Sequence, residues 1–169
     1  MMKIGIFYGS TQGATEHAAG LIRDALQDAA DVAIYNVASD DLNEMTNCDL
    51  VILGTSTWNS GELQDDWMSH ETLDGISLAG KKVALFGLGD QSGFSDTFVN
   101  GMGILAEAAK NAGAELIGAW PTDGYDFTES AAVCDGKFVG LALDEESQSD
   151  LTEERINTWV AQLKSELGL

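Results

Sequence analysis

The feature that most constrains the fold is a set of short apolar runs, each about as long as a buried β-strand. Residues 4–8, 50–54 and 82–88 are almost wholly apolar, which is typical of strands covered on both faces of a parallel sheet. Between the first two runs, apolar side chains recur at helical spacing. These side chains are Ala18, Leu21, Ile22, Ala25, Leu26 and Ala29. Strand and helix patterns alternate along the chain, so the sequence predicts an α/β doubly wound sheet.

The remaining apolar patterns extend this alternation. Further strands are predicted over residues 32–37 and 116–120. Residues 61–71 have helical spacing, and the next predicted helix carries Phe98 and stops near Gly113, where a left-handed cap favours glycine.

The end of the chain contains one irregular connection. About thirty residues separate Trp120 from a last helix that Thr152 is predicted to cap, and this is too long for a simple link. Residues 138–143 are again apolar and are predicted to resume the fifth strand. We therefore expect an insertion at about 121–140 within a single domain of residues 1–169.

Charge and cysteine content exclude several classes of function. Twenty-eight Asp and Glu residues against eight Lys and Arg give a net charge of −20, which disfavours binding to nucleic acid or to an anionic membrane. No apolar run approaches the length of a membrane span. Cys48 and Cys134 belong to no metal-binding motif. The expectation is a cytoplasmic monomer without a metal site.

The loop after the first strand has the composition of an anion site. Residues 10–15 read Ser-Thr-Gln-Gly-Ala-Thr, and backbone amides at the start of a helix favour phosphate. The loop contains no Lys or Arg and matches neither GxxxxGK[ST] nor GxGxxG. Hydroxyls and amides without a cation suit the terminal phosphate of a mononucleotide.

Two further loops each follow a predicted strand and each carry an aromatic residue. Trp58 lies among small residues after the third strand, and Phe94 lies in a glycine-rich loop after the fourth. Ligands of open parallel sheets bind at the carboxyl ends of the strands, and aromatic rings there can stack on a flat ligand. A phosphate loop with two aromatic plates and a nearby carboxylate suits FMN.

The same loops resemble those of the flavodoxins, in particular the long-chain subclass of bacteria and cyanobacteria. The resemblance lies in residues 6–15, 57–64 and 89–94, and in 120–127 and 136–144 around the insertion. It implies a flavodoxin-like sheet of five parallel strands in the order 2-1-3-4-5, with helices on both faces and a split fifth strand. The cofactor-binding residues that it implies are Ser10, Thr11, Gln12, Gly13, Ala14, Thr15, Ser56, Thr57, Trp58, Asn59, Ser60, Gly61, Leu88, Gly89, Asp90 and Phe94.

The resemblance also assigns roles around the flavin ring. Trp58 would cover one face, and Phe94, where the family usually has Tyr, would cover the other. Backbone groups of the four residues at the loop tips would meet the polar edge of the ring. These residues are Asn59, Ser60, Gly89 and Asp90. Ala14 stands where relatives often carry Lys, and Glu146 is expected near the ring edge.

The predicted function is low-potential electron transfer rather than catalysis. Neither ring-binding loop has a cation, so the resemblance implies a one-electron shuttle between FMN semiquinone and hydroquinone. Acidic residues would steer redox proteins with basic docking faces, such as a ferredoxin/flavodoxin–NADP reductase. Two alternatives are a flavodoxin-fold NAD(P)H or quinone oxidoreductase, and an acidic binding module without flavin.

Overall fold

A computed structural model describes residues 1–10, 13–58, 61–68 and 73–169. In chain order its strands are Lys3–Tyr8 (β1), Asp31–Asn36 (β2), Leu50–Trp58 (β3), Glu62–Leu63 (β4), Lys82–Leu88 (β5), Glu115–Leu116 (β6), Trp120–Pro121 (β7), Val133–Cys134 (β8), Lys137–Phe138 (β9) and Leu141–Leu143 (β10). The α-helices are Ala14–Leu26 (α1), Asp65–Met68 (α2), Asn100–Asn111 (α3) and Thr152–Leu167 (α4). Short 3₁₀ helices cover Leu42–Asn47 and Ser149–Leu151.

The core of the molecule is a parallel sheet in the order β2-β1-β3-β5-β10. With β5 as the fourth strand and β10 as the fifth, this is the predicted order 2-1-3-4-5. Tyr8 pairs with Gly54, and Gly54 pairs with Phe86, so the first, third and fourth strands run level. The predicted doubly wound α/β fold is confirmed.

The fifth strand is split, as predicted. β6 pairs with the start of β5 through Glu115 and Leu116, and β10 pairs with its end through Leu141 to Leu143. Both pairings are parallel. The chain between them, residues 117–140, carries the small antiparallel sheet β7-β9-β8.

The helices cover the sheet through their apolar stripes. α1 packs against α4, and α3 packs against β3 and β5. Ile22, Met102 and Trp159, one from each of these helices, are fully buried. The left-handed Gly113, at φ +99°, follows the end of α3 as predicted. Within the described part of the chain, no helix has both the length and the apolar character needed to cross a membrane.

Two helix predictions were wrong. The predicted helix over residues 61–71 does not start as expected, because Glu62 and Leu63 turn back and pair antiparallel with β3. α2 covers Asp65–Met68, and residues 69–71 lie outside the described part of the chain. Pairing with a neighbouring strand overrides a weak local helical pattern. α3 begins at Asn100 rather than before Phe98, because Val99 has φ +48°, which ends the helical path.

The predicted cap of the last helix was also wrong. The Thr152 hydroxyl hydrogen-bonds the carboxylate of Glu145, and no side chain caps the first turn of α4. Glu153 and Glu154 lie in that first turn, where the helix dipole favours negative charge.

Candidate functional site

Three loops leave the sheet at one edge, where the strands of the parallel sheet end. β3 and β5 reach the same level there, since Ser56 pairs with Leu88, and Leu88 pairs with Leu143 of β10. β1 ends at Tyr8, two residue levels below, opposite Gly54. The loops predicted to bind a ligand therefore start close together at the carboxyl edge.

The first loop turns sharply into α1. Gly13 has φ +89°, a conformation that glycine adopts readily, and its N–H donates to Ser10 Oγ at 2.9 Å. α1 then starts at Ala14. Thr15, in the first turn of the helix, is 2% exposed. Thr11 and Gln12 lie outside the described residues.

The first turn of α1 presents backbone N–H groups to the loop, with no Lys or Arg in the loop or in that turn. The first N–H groups of any helix lack intrahelical acceptors, and the helix dipole makes this end positive. Ala14 contributes no charge, and Glu16 is the acidic residue of the turn. An anion here would be held by amides and hydroxyls.

The second loop is anchored to the start of α3. The N–H of Gly101 donates to Thr57 Oγ1 at 2.9 Å, so the hydroxyl of Thr57 already serves a helix terminus. Gly101 can approach because a Cβ there would come within 2.9 Å of the Ser56 carbonyl oxygen. Asn59 and Ser60 lie outside the described residues, as does the side chain of Trp58.

The third loop presents an aromatic ring to solvent. Phe94 is 49% exposed, and its N–H donates to the Asp90 carbonyl oxygen at 2.9 Å. Asp90 Oδ1 accepts from the N–H groups of Ser92 and Gly93 at 3.0 and 2.9 Å. A ring held outward by a closed turn is available to stack on a flat ligand.

The start of this loop is more buried than expected for a ligand contact. Leu88 is 5% exposed and lies within the sheet. The N–H of Gly89 donates to the Leu143 carbonyl oxygen at 3.0 Å, so this amide is already used. In a binding site, Leu88 and Gly89 would then fix the path of the loop rather than contact the ligand.

The second and third loops are in contact. Gly61 has φ +100°, and a Cβ there would lie 2.9 Å from Asn100 Nδ2 and 3.2 Å from Thr97. Any larger residue here would need the Asn100 amide to move and Thr97 to shift by a few tenths of an ångström, and the left-handed φ is itself unfavourable for other residues. The end of the second loop thus lies against the residues that follow the third loop.

The first loop also lies against residues that follow the second loop. A Cβ on Gly9 would overlap the side chain of Gln64 and approach the Trp67 ring within 3.0 Å. Trp67 Nε1 donates to the Gly54 carbonyl oxygen at 2.8 Å, which fixes the indole beneath the sheet edge. Trp67 is fully buried.

Sequence reasoning missed the role of Asp144. The residue begins an acidic run with Glu145 and Glu146, a pattern typical of a solvated face, but it is fully buried. Its two oxygens accept four N–H bonds, two from Gln91 and one each from Glu146 and Ser147. The signal available in the sequence was its place directly after a buried strand, which is where site residues of such sheets occur.

The three loops contain no Lys or Arg, and the following basic residues make contacts elsewhere. Lys3 and Lys82 begin β1 and β5, at the opposite edge of the sheet, and Lys81 Nζ donates to the Cys48 carbonyl oxygen there at 2.8 Å. Arg155 is buried and stacks on the Tyr125 ring at 4.1 Å. Burial raises the pKa of Tyr125 to about 12, although Arg155 opposes that rise.

The residues fit a phosphorylated flat ligand such as FMN. A cation-free helix start with the buried Thr15 in its first turn suits the phosphate, and the outward Phe94 ring suits the flavin. Glu146, expected near the ring edge, is exposed on the turn that Asp144 organises.

Known proteins share the whole of this architecture. A family model described as Flavodoxin matches residues 6–159. A flavodoxin of Synechococcus elongatus is 48% identical over 170 residues, covering all of both chains. Flavodoxin 2 of Escherichia coli is 43% identical, covering 99% of this chain and 98% of the relative.

A solved structure agrees with the sequence comparisons. The structure of Fusobacterium nucleatum flavodoxin bound to flavin mononucleotide superposes with a TM-score of 0.91 at 36% identity. The match covers 98% of this chain and 99% of that one. On the sequence match, the shared fold and the three loops at the carboxyl edge, the chain belongs to the flavodoxin family.

Proposed function

We propose that this protein binds FMN at the carboxyl edge of its sheet and carries single electrons between redox proteins. Members of the flavodoxin family are electron carriers and convert no substrate, and this chain is one of them. The observation that carries the FMN proposal is the meeting of the three loops around a cation-free helix start and an outward Phe94.

The cofactor supplies the redox chemistry, and the chain supplies its environment. Residues 10–15 would bind the phosphate through backbone amides and the hydroxyls of Ser10 and Thr15. Trp58 and Phe94 would cover the two faces of the ring. Backbone groups of residues 59–60 and 89–90 would meet its polar edge.

The charge of the chain sets the electron affinity of the site. The ring-binding loops contain Glu62, Asp65, Asp66, Asp90 and Asp96 in or beside them and no Lys or Arg. Adding negative charge to a bound flavin there is unfavourable, which supports a low potential for the last electron. The same carboxylates would attract partners with basic docking faces, such as a ferredoxin/flavodoxin–NADP reductase.

The broader organisation belongs to the same proposal. All 169 residues would act as one domain and one monomer in the cytoplasm, with residues 121–140 as an insertion. The pairing of both β6 and β10 with β5 supports this division, because one sheet receives the chain on both sides of the insertion. An oxidoreductase acting on NAD(P)H or a quinone is not favoured, since the relatives are named flavodoxins.

The decisive experiment is to measure flavin binding and the route of reduction. The purified protein should be yellow and release FMN when denatured. It should stay oxidised with NADPH alone and become reduced when a ferredoxin/flavodoxin–NADP reductase is added. Reduction by NADPH without a reductase would contradict the carrier function.

Trp58 offers a residue-level test of ring binding. Trp58→Ala should weaken FMN binding by about 1–3 kcal/mol, the scale of a lost aromatic stack on a base-like ring. It should also raise the fluorescence of bound FMN, because the indole no longer quenches it. Trp58→Phe is the matched control and should keep most of the affinity.

A further inference from the structure

We propose that Gln91 is a positioning residue, which fastens the Phe94 loop to the insertion of the fifth strand and thereby sets the flavin-ring subsite. The inference rests on the proposed function, since it concerns how the chain presents Phe94 to FMN. It is carried by a buried hydrogen-bond network that joins three segments distant in sequence.

The backbone N–H and both polar atoms of the Gln91 side chain form hydrogen bonds. Gln91 is 3% exposed. Its backbone N–H and its Nε2 both donate to Asp144 Oδ2, at 3.1 and 2.7 Å. Its Oε1 accepts from the N–H of Asp126 at 2.6 Å. One side chain therefore connects the ring-binding loop to the insertion and to the turn after β10.

Asp144 makes this connection rigid. Its carboxylate is fully buried, and its second oxygen, Oδ1, accepts from the N–H groups of Glu146 and Ser147 at 3.0 and 2.9 Å. A buried carboxylate is costly unless it is fully hydrogen-bonded, so losing the Gln91 Nε2 donor leaves Asp144 Oδ2 with one hydrogen bond fewer, while the backbone N–H of residue 91 still donates. The network favours a single arrangement of loop and turn.

The outer side of the loop is tied to the same turn. Ser147 Oγ donates to Ser92 Oγ at 2.9 Å, and the Gly89 N–H donates to the Leu143 carbonyl oxygen. The loop is thus held before, at and after Gln91. It is held again after Phe94, where the Ser95 carbonyl oxygen accepts from the N–H groups of Thr128 and Glu129 at 2.9 and 3.0 Å. The Phe94 ring lies between these ties with half of its surface exposed, so its position depends on both of them, and Gln91 sets the first.

The insertion is itself a firm support. Tyr125 and Phe127, which flank Asp126, pack with Phe98 and Phe138 in an aromatic cluster at centroid distances of 5.1 to 5.8 Å. The Asp126 N–H, which donates to Gln91 Oε1, therefore belongs to a backbone segment that this packing holds in place.

The chain contains a matched control in Gln148. Its Nε2 donates to the Gly124 carbonyl oxygen at 3.2 Å, and its Oε1 accepts from Arg155 at 2.7 Å. Gln148 thus links the same insertion to the same turn without touching residues 89–94. A merely structural effect of losing one glutamine would appear in both variants.

The test compares Gln91→Met with Gln148→Met. Methionine keeps the length of the side chain and removes the hydrogen bonds of the glutamine amide, while the backbone N–H is unchanged. Both variants are measured for apoprotein unfolding in urea and for the Kd of FMN and of riboflavin. We expect Gln91→Met to weaken both flavins about tenfold or more and by the same factor, and to move the absorption band of bound flavin. Gln148→Met should change either Kd less than twofold.

Several outcomes would overturn the assignment. If the two variants weakened flavin binding equally, Gln91 would have only a structural role. If Gln91→Met weakened the binding of FMN but not of riboflavin, its effect would be on the phosphate subsite and not on the ring subsite. If Gln91→Met does not fold, Ser147→Ala removes the outer ties of the loop, to Ser92 and to Asp90. It should weaken both flavins equally but less than Gln91→Met, and no change there overturns the inference. A wild type that binds neither flavin contradicts the proposed function itself.

Discussion

Asp90 is the position where charge and loop geometry can be separated. Its Oδ1 holds the turn by accepting from the Ser92 and Gly93 N–H groups, and the carbonyl of an asparagine can accept both bonds. Asp90→Asn therefore removes one negative charge from the ring-binding loop and keeps the turn. With no cation in either ring loop, the lost charge is not masked by a partner.

The expected result is a rise in the potential of the last one-electron step. With screening close to that of bulk water, a unit charge about 4 Å away contributes about 1 kcal/mol, which is about 40 mV for one electron. The first one-electron step should move far less, because it adds no net charge at the ring. Salt should shrink the shift, since exposed charges are screened within about 10 Å at 0.1 M.

Spectroelectrochemical titration at low and high salt measures both steps. Asp31→Asn is the control, because Asp31 is exposed at the amino end of β2 and pairs with Lys3 at the opposite edge of the sheet. An unchanged last step in Asp90→Asn, or an equal shift in Asp31→Asn, would refute a local electrostatic origin of the low potential.

Three further predictions concern single side chains. Thr57→Val leaves the Gly101 N–H without its acceptor and should cost about 1.5 kcal/mol, lowering Tm by about 4 °C, while Thr57→Ser should not. Because the folded pKa of Tyr125 is about 12, its contribution to stability is complete below pH 10 and falls by roughly 1.4 kcal/mol per pH unit above it; urea unfolding of Tyr125→Phe should lack that fall. Thr15→Ala should weaken FMN by about 1.5–3 kcal/mol and leave riboflavin binding almost unchanged, as calorimetry can measure.

The sheet was predictable because its strands are buried on both faces. Continuous apolar runs such as 50–54 and 82–88 have little alternative to a central parallel strand. The split of the fifth strand was also readable, since residues 138–143 repeat that pattern after an interval too long for a turn.

The features that the sequence did not reveal depend on contacts between residues that are distant along the chain. Leu63 and Trp67 have helical spacing, but Leu63 pairs with Thr57 in a hairpin, and no local pattern encodes that partner. Asp144 looked solvated because Glu145 and Glu146 follow it. Only the fold brings Gln91, 53 residues away, against its carboxylate.

The absence of cations at the phosphate loop has a consequence that runs opposite to that of most phosphate sites. A site built on Lys or Arg binds phosphate less tightly as salt rises. Here Ala14 replaces a charged residue, and FMN brings a phosphate dianion to a protein of net charge −20. The long-range interaction is then repulsive, and only short-range bonds from amides and hydroxyls oppose it.

Sodium chloride should therefore strengthen FMN binding. Raising ionic strength from 0.01 to 0.15 M shortens the screening length from about 30 Å to about 8 Å, so we expect the Kd of FMN to fall several-fold. Riboflavin lacks the phosphate charge, and its Kd should stay nearly constant over the same range. Ala14→Lys should flatten or reverse the salt dependence of FMN alone. An FMN Kd that rises with salt in the wild type would mean that a cation reaches the phosphate, and the amide-and-hydroxyl site would be wrong.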